Sequence, residues 1–424
     1  ADREGLMKMK RDILQSAGGA YENLHEKGTA GITEDSALSG DSPVKNWGGV
    51  GVVDFPEEKA HKIDGTTIVE VEGYKPYGCW RCPIRCGGKM PQADDSFPLE
   101  LNEGIGHKPE YETLCMFGTN LLNDDLPSII KINEICNNAG LDTISVGAAI
   151  GYIIECYEEG LLDAEDVDGL EMTWGNAEAI VAMTEKIAEH EGAGGLFADG
   201  IRTAWKKLGR AGTAYAIEIG GEEVPAHDPK FTPGLATTYT LTATPARHTQ
   251  GGELLPPPGL ALPDDAEPVY EGLEDKHVYS GKAETHWKLV TGVEVVNAAG
   301  LCLFGWLSYP AQAVPDQLSA VTGWDYDMDA VYEAGMRIYT MRHAFNLREG
   351  QNPLLRNMPK RLLGEPPQEE GPLEGVTVDM DTLNSEFLEF VGWDQETTVP
   401  SADALRDLGM DFLIEDMDEA EEKL

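Results

Sequence analysis

The sequence predicts a mainly helical protein built from two helical domains. Apolar residues recur at helical spacing in several long segments, and few segments show the apolar–polar alternation of a half-buried strand. The helical segments are residues 3–26, 123–138, 146–158, 177–190, 200–209 and 327–346. Because the chain has 424 residues and is 41% hydrophobic, it can bury more than one core. Glycine-containing stretches at 192–195 and 220–230 predict one domain of residues 1–215 and another of residues 216–424.

Acidic residues greatly outnumber basic ones. The chain has 75 Asp and Glu against 32 Lys and Arg, which gives a formal net charge of −43. The acidity is spread along the chain, as expected of a halophilic protein solvated in concentrated salt, and it disfavours nucleic acid and anionic membranes as partners. The uncharged run 295–314 contains Asn, Gln, Gly and Pro, so we expect buried core there and no membrane span. No apolar, cleavable leader opens the chain, and we expect a cytoplasmic protein.

Three cysteines, Cys79, Cys82 and Cys86, stand within one short segment whose charge is opposite to that of the chain. Residues 74–93 contain no acidic side chain, but they include the basic residues Lys75, Arg81, Arg85 and Lys89. Thiolates hold iron–sulfur clusters, and a four-iron cluster takes four of them. Because such a cluster is anionic, nearby cations would shield it in an acidic protein. The triad therefore favours an iron–sulfur site with a distant fourth cysteine.

Other uses of cysteine remain open at this point. A structural zinc site has the same residue types, usually as two separated pairs. A disulfide framework is disfavoured, because seven cysteines are an odd number. Single cysteines are most often buried structural thiols, and we expect this of Cys115, Cys136 and Cys156.

A short motif, called here the Gly-Leu motif, occurs twice. The sequence NNAGLD at residues 137–142 recurs as NAAGLC at residues 297–302, once in each half. Both copies follow helix-compatible apolar stretches, so Gly140 and Gly300 are expected to be left-handed helix C-caps with the next leucine packed on the last turn. Such a cap fixes polar groups at a helix end where a cofactor can bind. It also makes Cys302 the candidate for the fourth cluster ligand.

Together with further segments, these motifs resemble the tungsten-containing aldehyde ferredoxin oxidoreductases. The matching segments recur in family order and are CWRCPIRC at 79–86, PEYET at 109–113, GLDTIS at 140–145, GLC at 300–302, NLREG at 346–350 and GWD at 392–394. The resemblance covers the two helical domains that follow the family's N-terminal β domain. That β domain is missing from this sequence, so we expect it to be supplied by a separate segment or subunit.

The resemblance implies two helical domains packed around a cofactor site at their interface. It implies tungsten or molybdenum held by two pterin dithiolenes, a 4Fe–4S cluster on Cys79, Cys82, Cys86 and Cys302, and Mg²⁺ bridging the pterin phosphates. Each Gly-Leu motif would bind one pterin. The binding residues would be Asn137, Gly140, Leu141 and Asp142 in the first motif and Asn297, Gly300 and Leu301 in the second. The family usually has Asp where Asn137 and Asn297 stand, and an amide cannot act as an ionised acceptor.

The implied activity is the oxidation of a small aldehyde with water to a carboxylic acid, with electrons passing through the cluster to ferredoxin. Glu112 occupies the position of the family's glutamate near the metal, where a carboxylate could take a proton from the attacking water. His248 is the best match to the family's active-site histidine and could donate a hydrogen bond or a proton to the oxygen of the substrate. Arg247 is expected among the cofactor-binding residues; it could help to hold an anionic product, or simply pair with one of the many carboxylates. His227, His277, His286 and His343 are expected to be ordinary core or surface histidines. A homodimer is compatible with the resemblance.

Two alternative functions stay open. The chain could be a non-catalytic iron–sulfur subunit for electron transfer or scaffolding. It could also be a zinc-stabilised helical binding protein, which would be colourless, whereas an iron–sulfur cluster is brown.

Overall fold

The computed structural model describes residues 3–17, 19–100, 104–209, 212–252 and 276–424. Within these ranges no helix is both long enough and apolar enough to cross a membrane. The α-helices, in chain order, are Arg3–Gln15 (α1), Gly19–Glu26 (α2), Thr33–Ser39 (α3), Gly51–Asp54 (α4), Glu57–Ala60 (α5), Gly65–Glu70 (α6), Tyr111–Phe117 (α7), Leu126–Ala139 (α8), Thr143–Glu158 (α9), Ala177–Glu189 (α10), Gly194–Phe197 (α11), Ile201–Leu208 (α12), Gly234–Leu241 (α13), Ala283–Ala298 (α14), Leu303–Ser308 (α15), Ala313–Thr322 (α16), Met328–Arg348 (α17), Met380–Val391 (α18), Ala402–Asp407 (α19) and Ile414–Glu421 (α20). The strands are Lys75–Tyr77 (β1), Gly87–Pro91 (β2), Ile105–His107 (β3), Glu218–Ile219 (β4) and Glu222–Glu223 (β5).

The mainly helical fold class is confirmed, with one difference near the start of the chain. Residues 3–26 form two helices, α1 and α2, where the periodicity predicted one. The hydroxyl of Ser16 donates to the carbonyl oxygens of Asp12 and Ile13, which closes the last turn of α1. Glycine follows at residues 18 and 19 of the sequence, and glycine is a poor residue for a helix interior.

The chain divides into two compact units. One, called here the cysteine unit, comprises Asn23–Phe231 and Met358–Thr377. The other, called the terminal unit, comprises Ala1–Glu22, Thr232–Asn357 and Val378–Leu424. Both units are discontinuous in sequence, whereas the predicted division at residues 215 and 216 gave two continuous halves. The difference arises from packing between distant segments, because α1 packs on α16 within the terminal unit.

The core of the cysteine unit forms around α9. Nearly every residue of α9 from Ile144 to Cys156 is buried, so the helix is enclosed by protein around its whole circumference. Gly147 permits the close approach of α7, because a Cβ atom there would lie 2.7 Å from the Cβ of Met116. Helices α8 and α10 complete the packing. This rigid group of helices positions the residues of the candidate site.

A three-stranded antiparallel sheet, in the order β1-β2-β3, lies in the same unit. Tyr77 of β1 pairs with Gly87 of β2, and Lys89 of β2 pairs with His107 of β3. The three cysteines near residue 80 therefore lie on the connection between β1 and β2, which we call the cysteine loop and define as residues 78–86. The cysteine loop and the residues before α7 are held together by this sheet.

The terminal unit is centred on the packing of α14 against α17. At their crossing a Cβ on Gly335 would lie 2.1 Å from the carbonyl oxygen of Thr291, so only glycine fits. Trp287, Tyr339, Phe387 and Trp393 form an aromatic cluster beside this crossing. Trp393 belongs to the GWD segment and stacks on His343, with ring centroids 4.0 Å apart. His343 is therefore a buried packing residue, as expected.

The segment Met358–Thr377 contacts the rest of the cysteine unit through an ion pair between the half-buried Arg361 and the buried Glu155. The guanidinium of Arg361 donates to both carboxylate oxygens of Glu155, at 2.8 and 2.6 Å, and to the carbonyl oxygen of Asn46 at 2.9 Å. Glu155 lies on α9 and is 9% exposed. Removing Arg361 would leave a buried carboxylate without its cation.

We therefore expect Arg361→Ala to lower the free energy of unfolding by about 3 kcal/mol, because the charge on Glu155 loses its ion pair. Chemical denaturation followed by circular dichroism would measure the change. The matched control is Lys360→Ala, because the Lys360 side chain is 80% exposed and its effect should stay within about 0.5 kcal/mol. Equal effects of the two substitutions would contradict the importance of this ion pair.

Candidate functional site

A cleft of about 540 Å³ opens in the cysteine unit beside the start of α7. Its walls come from the end of β1, the segment leading into α7, and the connection between α8 and α9. It is lined by Tyr77, His107, Lys108, Glu110, Glu112, Thr113, Asn133, Asn137, Leu141, Asp142, Thr143 and Ile144. The cleft thus brings together Glu112 and three residues of the first Gly-Leu motif, which the sequence analysis selected for different reasons.

The PEYET segment forms the start of α7, and its side chains are held by partners distant in sequence. The carboxylate of Glu110 accepts hydrogen bonds from Lys108 Nζ at 2.7 Å and Thr29 Oγ1 at 2.5 Å. The hydroxyl of Tyr111 donates to the carbonyl oxygen of Ala226 at 2.6 Å. Thr113 donates to Thr143 Oγ1 on α9 at 2.9 Å. These contacts fix the orientation of Glu112, the remaining acidic residue of the segment.

Glu112 is half-buried in the cleft, and its Oε1 is shielded from solvent. Its Oε2 accepts a hydrogen bond from the backbone N–H of Ala226 at 2.8 Å. Burial raises the pKa of Glu112 to about 7, although the charge of His227 and the Ala226 hydrogen bond lower it; the carboxylates of Asp41 and Asp142 raise it further. A carboxylate with this pKa can accept and release a proton at neutral pH.

His227 is a residue of this site that the sequence analysis treated as ordinary. Its Nδ1 lies 2.8 Å from Asp41 Oδ2, and its Nε2 lies 3.8 Å from Glu112 Oε1. The ring stacks on Tyr111 with centroids 4.8 Å apart. Burial lowers the pKa of His227, but the Asp41 and Glu112 carboxylates outweigh burial and raise it overall. The imidazole is thus held between two carboxylates, a contact between residues too distant in sequence for local patterns to indicate.

The first Gly-Leu motif has the local structure expected of it. Gly140 adopts φ 71° and ψ 31° as the C-cap of α8, and the Leu141 N–H donates to the carbonyl oxygen of Cys136 at 2.9 Å. Leu141 packs against the core of the cysteine unit. Asp142 then caps the start of α9 by accepting from the Ile144 N–H at 3.2 Å. Asn137 is exposed and lines the cleft.

The cysteine loop presents three thiols that are not in disulfides. Cys79 is exposed, and Cys82 and Cys86 are half-buried. The Cys82 N–H donates to the carbonyl oxygen of Cys79 at 2.9 Å. Tyr77 precedes the loop and also lines the cleft, so the loop begins beside the cleft that Glu112 lines. In contrast, Cys115, Cys136 and Cys156 are buried and burial raises their pKa values, which confirms them as structural thiols.

The second Gly-Leu motif, in the terminal unit, repeats the cap of the first. Gly300 has φ 66°, and the Leu301 N–H donates to the carbonyl oxygen of Val296 at 3.0 Å. Cys302 takes the N-cap position of α15, but its side chain makes no capping hydrogen bond and is exposed. The thiol of Cys302 is therefore not used by the helix, unlike the carboxylate of Asp142. The amide of Asn297 donates to the carbonyl oxygen of Thr249 at 3.4 Å.

Arg247 and His248 lie on the loop that follows α13, where His248 begins a short 3₁₀ turn, His248–Gln250. The guanidinium of Arg342 on α17 donates to Gln250 at 2.7 Å and to Thr244 at 3.1 Å. Asn346 donates to the carbonyl oxygen of Ala243 at 2.7 Å. The NLREG segment, which begins at Asn346, thus holds the backbone of the loop that contains His248. The loop is fixed by contacts from a helix about a hundred residues further along the chain.

Comparisons with known proteins agree with the family resemblance. A family model described as "Aldehyde ferredoxin oxidoreductase, domains 2 & 3" matches residues 5–410. The chain is 30% identical over 416 residues to the tungsten-containing aldehyde ferredoxin oxidoreductase of Pyrococcus abyssi, covering 97% of this chain and 64% of that protein. It is also 30% identical over 412 residues to the Pyrococcus furiosus protein of the same name, covering 96% and 63%. The chain therefore spans a little under two thirds of the length of these relatives.

More distant proteins are also similar to this chain. The chain is 24% identical over 384 residues to a Pyrococcus furiosus protein named "Aliphatic sulfonate oxidoreductase, WOR-like subunit", covering 87% of this chain and 55% of that protein. Among solved structures, the BamBC active-site complex of benzoyl coenzyme A reductase is similar with a TM-score of 0.70 and 17% identity, covering 98% of this chain and 66% of that one. This likeness shows the fold alone.

The raised pKa of Glu112 predicts a pH-dependent cost to stability. The folded pKa of about 7 exceeds the ordinary value of 4.5, so the folded protein holds this proton more tightly than the unfolded chain. The stabilisation that protonation of Glu112 gives the folded state is fully present below pH 4.5 and is lost as the pH rises through 7. Glu112→Gln removes this titration. Urea denaturation would give the free energy of unfolding of both proteins across this range. The value for the variant minus the value for the unsubstituted protein should increase by about 2 kcal/mol from about pH 5.5 to about pH 8. A difference that stays constant across this range would contradict the assignment.

Proposed function

Because this chain belongs to the aldehyde ferredoxin oxidoreductase family, we propose that it is the helical part of an enzyme that oxidises an aldehyde with water to a carboxylic acid. The reaction releases two electrons and two protons for each aldehyde, so the site needs a base and an electron acceptor. The observation that carries the proposal is the position of Glu112, whose half-buried carboxylate lines the same cleft as the first Gly-Leu motif.

We propose that Glu112 acts as the general base. At neutral pH its carboxylate is part ionised, because burial raises the pKa to about 7. The ionised form can accept a proton from water as the water oxygen bonds to the carbonyl carbon. The nearby imidazole of His227, held by Asp41, favours the ionised form of Glu112 and so keeps the base available. His248 would donate a hydrogen bond to the substrate oxygen, and Arg247 would pair with the carboxylate product.

The residues present fit the cofactors that the family implies. The cysteine loop offers three thiols outside any disulfide, and the Cys302 thiol makes no capping hydrogen bond, so these four would hold a 4Fe–4S cluster. At both Gly-Leu motifs a Cβ on the capping glycine would meet no atom within 4 Å, so the helix end has open space beside it. Asn137, Asp142 and Asn297 would offer polar side chains to the two pterins and to the Mg²⁺ that the family resemblance implies. Tungsten, or molybdenum, held by the pterins supplies the two-electron chemistry, and the cluster supplies single-electron transfer.

We infer that the electrons pass to ferredoxin, as the family's name indicates. The remaining third of the relatives' length would supply the other wall of the pterin site, as a domain or as a subunit. The protein's own residues would then position the aldehyde, move the proton and fix the cluster, while the metal carries out the redox step.

The role of Glu112 can be tested by Glu112→Gln in the metal-loaded protein. We expect aldehyde turnover to fall by about a hundredfold or more, because an amide cannot accept the proton from water. Metal analysis should show unchanged tungsten and iron. Glu178→Gln is the matched control, because Glu178 is an exposed residue in the first turn of α10, and it should leave turnover unchanged. Loss of metal from the Glu112 variant would instead make this residue structural.

The fourth cluster ligand can be tested by Cys302→Ala. We expect this substitution to abolish the low-temperature EPR signal of the reduced 4Fe–4S cluster, because three thiolates leave one iron without a protein ligand. Cys136→Ala removes a buried thiol on α8 and should leave the signal intact. A normal signal from the Cys302 variant would exclude Cys302 as a ligand.

A further inference from the structure

The cysteine loop and its flanking strands form an exposed, positively charged surface, called here the basic face. It consists of Lys75, Arg81, Arg85 and Lys89, all exposed, together with the aromatic side chain of Trp80. None of the four cations makes an ion pair with a carboxylate in the described ranges, although most of the acidic residues of the chain lie there. Some exposed cations elsewhere are paired, as in Lys62 with Asp124, Lys207 with Asp199 and Arg406 with Asp403, whereas the exposed cations of α1 also lack an ion pair in the described ranges. In a chain of net charge −43, the basic face is set apart by its exposed tryptophan and by its place beside three thiols.

The arrangement of these cations does not favour stability. Lys75 and Lys89 are direct cross-strand partners in the β1–β2 pairing, and like charges opposite each other destabilise a sheet. Arg81 and Arg85 adopt φ of 59° and 56°, in the left-handed region. For a residue with a side chain this conformation costs roughly 1 kcal/mol, and glycine would adopt it more easily. Basic side chains at these four positions are therefore better explained by an interaction than by folding.

Trp80 gives the basic face an anchor suited to a protein partner. Its side chain is 85% exposed, more than any other large hydrophobic residue among those described. The guanidinium of Arg81 lies over the indole, 4.5 Å from the ring centroid. Tryptophan and arginine are the residue types most enriched among those that dominate binding energy at protein interfaces. A tryptophan so fully in water is an unfavourable arrangement unless another surface covers it.

The loop that holds these side chains is fixed in place. Arg85 donates to the carbonyl oxygen of Pro76 at 3.1 Å, and the ring of His25 lies 2.9 Å from the carbonyl oxygen of Ile84, whose side chain is buried. A surface held in one conformation loses little entropy on binding. The same loop contains Cys79, Cys82 and Cys86, so a protein docked on the basic face would lie beside the thiols assigned to the cluster.

We propose that the basic face is the docking surface for a small acidic iron–sulfur electron carrier, which rests on the function proposed above. Charge complementarity selects this partner. An acidic carrier is repelled by most of the strongly negative chain and is attracted by four unpaired cations that lie on and beside the cysteine loop. Trp80 would then be covered by the carrier, with its cluster placed near Cys79. The basic face would thus both bind the carrier and orient it for electron transfer.

The test compares charge reversals in the metal-loaded holoprotein, with a purified acidic 4Fe–4S ferredoxin as the probe. Lys75→Glu combined with Lys89→Glu reverses two charges on the basic face and avoids the residues next to the cysteines. Lys360→Glu combined with Lys423→Glu is the matched control, because it changes the net charge equally at exposed positions elsewhere. We expect the dissociation constant, measured by calorimetry, to rise about tenfold or more for the first pair and less than about twofold for the control. Trp80→Ala should weaken binding similarly without any change of charge.

Several outcomes would overturn the docking proposal. Equal weakening by both charge-reversed pairs would mean that only net charge matters, and unchanged binding would exclude the basic face. Loss of assembly or solubility in the Lys75/Lys89 variant would show that the face packs within the protein. Aldehyde oxidation can also be measured with benzyl viologen in place of ferredoxin as the electron acceptor. This assay tests the proposed reaction without the docking surface, so each proposal can fail separately. Absence of this activity in the unsubstituted holoprotein counts against the proposed reaction, whereas calorimetry tests the docking surface without turnover.

Discussion

The partial burial of one carboxylate is the interaction on which the candidate site depends. Glu112 lies at the start of α7, where contacts to the Ala226 backbone, Asp41 and His227 hold its surroundings in place. Partial burial raises the pKa of this carboxylate to about 7, and the charge on the nearby imidazole prevents a larger rise. Without the charge of His227, Glu112 would stay protonated to a higher pH and would be less available as a base. The balance between desolvation and one neighbouring charge therefore sets the chemistry of the cleft.

Sequence patterns predicted the features that depend on local structure. The caps at Gly140 and Gly300 were predictable because a glycine after an apolar helix, followed by leucine, is a local signal for a left-handed turn. The position of α9 was predicted from its periodicity. The helix is buried on all sides, however, whereas an amphipathic helix is buried on one face. The gap between α1 and α2 was missed, since periodicity alone does not register the effect of Ser16 and the glycines that follow it.

Features that depend on distant contacts could not be predicted in this way. His227 lies beside Glu112 through folding of segments more than a hundred residues apart, and its sequence neighbours give no sign of this. The ion pair of Glu155 with Arg361, which attaches Met358–Thr377 to the cysteine unit, is likewise invisible to local patterns. The roles of Glu112, His248, the cluster cysteines and the Gly-Leu motifs remain proposals that rest on family resemblance, with the geometry of the cleft in support.

The central claim is that this chain, in its intact protein, holds a tungsten or molybdenum pterin beside a 4Fe–4S cluster. Quantitative metal analysis of the purified holoprotein, together with acid-labile sulfide, tests it most directly. We expect one tungsten or molybdenum, about four iron atoms and about four sulfides for each chain. Zinc bound in place of iron, with no sulfide and no tungsten or molybdenum, would contradict it.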